Sequence, residues 1–109
     1  MYVIRRVYQV EPRQARRAAT LVAAIGRSYQ EEGQRGEVQV YFNGSTLPGE
    51  RDVVYMQWTA ETIESPYRAG NVFPTGTDEW AAQLREIQID SWIEFYELLT
   101  PDKEVPLDG

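Results

Sequence analysis

Neither histidine nor cysteine occurs among the 109 residues. This removes a Ser-His-Asp triad, an imidazole base near neutrality, and haem or zinc held by histidine. It also removes thiolate nucleophiles, disulfides, iron–sulfur clusters and Cys-ligated zinc. Acid–base work falls to carboxylates, tyrosines, arginines or the single lysine, Lys103. Within alternating segments these types recur two residues apart: Arg6 and Tyr8, Gln39 and Tyr41, Tyr55 and Gln57, then Trp92, Glu94 and Tyr96. Strand residues two apart share a face.

Glu94 lies between two aromatics, and burial there would raise its carboxyl toward neutrality, making it the best general acid or base available. A neighbouring Arg6 would instead hold it ionised, or simply form a structural cross-strand pair with it. Tyr8, Tyr41, Tyr55 and Tyr96 would donate hydrogen bonds to a phenol or enolate oxygen, or pack an interface. Gln39 and Gln57 would orient a ligand or fill that interface as amides. The catalytic candidates are therefore Glu94, Tyr55 and Arg6. The ligand-binding candidates are Tyr8, Gln39, Tyr41, Gln57, Trp92 and Tyr96, joined by Tyr67 and Arg68 from a loop. No metal-ligating set and no cofactor is expected.

The elements that must position these residues follow from periodicity. Tyr2–Val10 is rich in β-branched and aromatic residues and exits at Glu11-Pro12, with proline suited to a helix start. Ala15, Ala18, Ala19, Val22, Ile25, Gly26 and Tyr29 then fall on one helical stripe, which ends at Gly33 and Gly36. Glu37–Phe42 and Asp52–Thr59 alternate as strands around a turn-rich link. Glu64–Thr77 is a long irregular stretch, suited to a lid over a pocket mouth or to wrapping a partner. Thr77 or Asp78 caps a second helix bearing Trp80, Leu84 and Ile87, Asp90-Ser91 breaks it, and Ser91–Leu99 is the last strand. Residues 1–99 thus form one domain, and residues 100–109 an acidic tail that need not be ordered.

The order β-α-β-β-α-β is the ferredoxin-like plan, an α+β fold with a four-stranded antiparallel sheet and both helices on one face. Right-handed crossovers place the first and third strands centrally, flanked by the fourth and second. Val38, Val40, Phe42, Val54, Met56, Trp58, Ile93 and Phe95 share the parity suited to the helices. In the first strand Val3 and Val7 are assigned to that side, leaving Tyr2, Ile4, Arg6 and Tyr8 on the other.

Composition is that of an ordinary globular domain, 42% hydrophobic and 26% charged. No apolar run is long enough to span a bilayer and no leader is visible, so a cytoplasmic protein without membrane contact is expected. A net charge of -6 argues against a nucleic-acid binder. Residues 1–36 nevertheless carry seven arginines against three glutamates. Those arginines fit a solvated helix face that complements the acidic remainder, including across a subunit contact.

A sheet face bearing tyrosines and tryptophan beside amides and charges is unlike a solvated surface, and such patches mark interaction sites. The simplest cover is a second copy related by a two-fold axis. In element order, length and face composition the chain resembles the dimeric α/β-barrel superfamily. It is similar to antibiotic-biosynthesis-monooxygenase-like proteins and to NIPSNAP-like proteins, the latter through Val54-Tyr55-Met56-Gln57-Trp58 and the Trp80 helix. The resemblance implies a homodimer packed sheet on sheet around a pocket for a hydrophobic, oxygen-bearing small molecule. Without histidine, haem-dependent members are not supported. There remain cofactor-independent oxidation or cyclisation of aromatic polyketide-like substrates, small-molecule binding, and members without known activity.

Overall fold

The computed structural model describes residues 1–33, 36–63, 69 and 76–107. Its elements run β1 (Tyr2–Val10), α1 (Ala15–Glu31), β2 (Gln39–Asn43), β3 (Val53–Ala60), α2 (Asp78–Ile87) and β4 (Gln88–Glu97). The sheet is antiparallel with strand order β2-β3-β1-β4, the ferredoxin-like arrangement with β1 and β3 central. The sequence places helix and strand types correctly but misses one junction: α2 passes directly into β4 at Gln88, with no break at Asp90-Ser91.

The small residues of α1 explain how it seats. Ala15, Ala18, Ala19, Leu21, Val22 and Gly26 are buried, so the helix presents a nearly flat stripe to the sheet. Beneath it lie Ile4, Tyr8, Val10, Val54, Met56 and Trp58, joined by Leu84 from α2. Arg16, Arg17 and Arg27 point to solvent, and Arg17 donates to the Gln83 side-chain oxygen at 2.9 Å, bridging the two helices.

The phase of β1 is the reverse of the expectation. Val3, Arg5 and Val7 stand opposite Tyr96, Glu94 and Trp92, whereas Ile4, Arg6 and Tyr8 stand opposite Phe95, Ile93 and Ser91. Ile4, Arg6 and Tyr8 therefore belong to the helix side and Arg5 to the open side. Because side chains alternate with a period of two, this single-residue error moves the whole strand to the other face. Val7 and Val53, on the open side, are nonetheless buried, Val7 in register with Tyr55 and Trp92. On the helix side Phe42, Ile93 and Phe95, expected under the helices, are more than 40% exposed; the helical layer does not reach these edge-strand positions.

Past β4 the chain continues as a 3-10 turn at Pro101–Lys103. Lys103 donates to the Leu98 carbonyl at 3.1 Å and pairs with Glu97 at 3.3 Å, tying the tail back to the sheet edge.

Gly26 shows how closely α1 approaches the sheet. A Cβ there would lie 2.9 Å from a Val38 methyl and 3.0 Å from the Met56 sulfur. Gly26→Leu is expected to destabilise the fold by about 2 kcal/mol through overpacking, although leucine favours helices. Urea unfolding measures this, and an unchanged or raised midpoint would contradict the close approach.

Candidate functional site

The open face is organised by one ion pair. Arg5 and Glu94 occupy directly opposed positions on β1 and β4. The Arg5 Nε donates to Glu94 Oε1 at 2.8 Å, and Nη2 lies 2.6 Å from the same oxygen. The Tyr96 hydroxyl donates to the same oxygen at 3.0 Å, and Trp92 Nε1 donates to Oε2 at 2.9 Å. One carboxylate thus takes hydrogen bonds from three side chains.

The arginine also organises the rings. Its guanidinium lies 4.6 Å from the Tyr55 ring centroid and 5.9 Å from that of Tyr96, within cation–π range. Tyr55 stacks on Tyr41 at 5.0 Å with planes 20° apart, and the Tyr41 hydroxyl donates to the Gln57 side-chain oxygen at 2.8 Å. A continuous chain of contacts therefore crosses all four strands, from Tyr41 on β2 through Tyr55 on β3 and Arg5 on β1 to Glu94 on β4. Tyr41, Trp92 and Tyr96 remain 39%, 40% and 50% exposed in the single chain.

The electrostatics favour a fixed anion over a proton shuttle. The Trp92 indole N–H, followed by Arg5, holds the Glu94 carboxyl below its ordinary 4.5, against a smaller opposing effect of desolvation. Burial disfavours the charged Arg5 guanidinium, but bonds to Glu94 and Tyr41 outweigh this and raise its pKa. The hydrogen bond to Glu94, followed by desolvation, raises the pKa of the Tyr96 hydroxyl. An acid–base residue working near neutrality needs the opposite shift in its carboxyl.

Seven of the sequence candidates share this open side. Tyr41, Tyr55, Gln57, Trp92, Glu94 and Tyr96 join the network directly, while Gln39 stands exposed on β2 opposite Gln57. Arg6 and Tyr8 do not join them: they face the helices, where they help line a cavity of about 360 Å³. Tyr67 and Arg68 lie outside the described residues. Arg5 was missed because β1 is central and apolar on both sides, Ile4, Tyr8 and Val10 on one and Val3 and Val7 on the other. Hydrophobicity alone therefore does not set its phase.

No family model matches the sequence, and no curated protein does. Solved structures do share the fold. An uncharacterised NIPSNAP-like domain protein from Burkholderia xenovorans superposes with a TM-score of 0.68 at 19% identity, over 96% of this chain and 90% of that one. A second uncharacterised NIPSNAP domain protein from Burkholderia xenovorans gives 0.61 at 14% identity, over 97% and 99%. A NIPSNAP family protein from Agrobacterium tumefaciens strain C58 gives 0.58 at 17%, over 98% of each chain. At such identities the likeness establishes a common fold and says nothing of activity.

Glu94→Gln tests the ion pair. Because the folded carboxyl titrates below 4.5, its stabilisation is fully present above that value and is lost as pH falls through the folded pKa. The variant is expected to be about 1 kcal/mol less stable at neutral pH, with the difference shrinking in acid. Urea titrations at several pH values check this. A difference independent of pH would show that the carboxylate charge does not matter.

Proposed function

We propose that the chain is a homodimeric binding module: the open faces of two copies cover one another, and the protein holds an oxygen-bearing small molecule without transforming it. The observation that carries the first half is the exposed aromatic network around Arg5 and Glu94. Its two charged groups are already paired within the sheet, so a second copy could cover the rings without stranding charges.

The same engagement weighs against a catalytic role for this face. A proton-transferring Glu94 would have to release indole, phenol and guanidinium donors before acting. Cofactor-independent oxygenation or cyclisation therefore gains no support from the geometry of this carboxylate. A ligand lodged between two such sheets would compete with bonds already made, which turns attention to space elsewhere in the fold.

Sedimentation equilibrium at micromolar concentration is expected to give twice the chain mass. Tyr55→Glu would bury a new charge in the contact and weaken association at least about tenfold. Arg16→Glu, on the exposed side of α1, should leave it unchanged. A monomeric wild type, or equal effects of the two substitutions, would overturn the dimer.

A further inference from the structure

On the side away from the aromatic network, a cavity of about 360 Å³ opens between the helices and the sheet. This falls in the range of small-molecule sites, which begins at about 300 Å³. Ile25 and Leu84 supply apolar wall, Tyr8 and Tyr29 supply rings, and Arg6 and Arg85 supply charge. We propose that this cavity binds a small organic anion with an apolar body, its carboxylate or equivalent oxyanion gripped by Arg6 and Arg85.

Charge carries the proposal. Among the described residues the lining includes two guanidiniums and no carboxylate, in a chain whose net charge is -6. Among the described residues neither Arg6 nor Arg85 has an acidic partner at ion-pair distance. Arg6 is half-buried, and its described contact is with the Tyr8 ring, 5.8 Å from guanidinium to centroid, which leaves its charge uncompensated. A partly desolvated cation without a counter-ion is unfavourable until an anion arrives. Arg85 lies in the last turn of α2, where a cation also complements the helix dipole. Arg6, on a strand, has no such structural reason to be there. Guanidinium forks match the two oxygens of a carboxylate, while the apolar wall would hold a ring or short chain.

The proposal deepens the ligand half of the binding-module reading and does not depend on the dimer. Its test is fluorescence titration of the full chain with anilinonaphthalene sulfonate, an amphipathic anion, alongside uncharged phenylnaphthylamine. The wild type is expected to bind the sulfonate saturably at one site per chain. Arg6→Gln and Arg85→Gln should each weaken it about tenfold while leaving the uncharged dye unaffected. Arg85 is exposed, so its variant keeps the fold, and its sedimentation should match that of the wild type. Tyr55→Glu, on the opposite face, should lose association yet keep the dye. Equal sulfonate affinity across the arginine variants, uncharged dye bound as tightly as the anion, or no saturable binding would overturn the site, whatever the oligomeric state.

Discussion

The register between β1 and β4 is the constraint on which the rest of the molecule depends, and the Arg5–Glu94 pair expresses it on the open face. With Arg5 opposite Glu94, Ile4, Tyr8 and Val10 point under the helices and join Val54, Met56 and Trp58 in one core. A slip of one residue would bring Arg6 to the carboxylate and turn those three side chains outward. Core packing and the surface ion pair therefore select the same register, from opposite sides of the sheet. Such agreement between local charge and global burial is what removes competing pairings.

The two faces are finished differently. On the open side polar groups bond to one another: the indole, phenol and guanidinium all end on Glu94, and Tyr41 ends on Gln57. On the helix side the alanines of α1 and Gly26 bring the helix down onto Val38 and Met56. Beside that contact, Ile25 and Tyr29 of α1, with Ala81, Leu84 and Arg85 of α2, line a cavity that also reaches Met56.

Much of this was legible in the sequence. The alanine stripe at helical spacing marked α1, and the alternation of Gln39 with Tyr41, Tyr55 with Gln57, and Trp92 with Glu94 and Tyr96 marked the open face. Those strands could be phased because one of their two parities is plainly more apolar. β1 could not, since it is sandwiched between two neighbours and carries apolar residues on both sides. Two consecutive arginines then made the error costly: the carboxylate's partner is an arginine, as expected, but it is Arg5 and not Arg6. The abrupt α2–β4 junction was hidden for a related reason. Asp90 and Ser91 read as a helix break, yet the break falls earlier, where Gln88 adopts extended backbone and Glu11 donates its amide to the Ile87 carbonyl.

Arg5 and Arg6 together show what the sheet does with charge. They are the same residue type, adjacent in one strand, and the pleat sends them to opposite sides. Arg5 meets Glu94 and two rings, so its charge is absorbed into the architecture of the open face. Arg6 meets the Tyr8 ring and a cavity that Arg85 also lines, with no acid among the described lining residues. In a chain with seventeen acidic residues, a half-buried arginine sharing a cavity lining with a second arginine is not explained by charge balance. The open face has its counter-ion built in. The cavity has the cations for one, and the physical asymmetry between these two neighbouring side chains is the strongest reason to look for a ligand on the helix side.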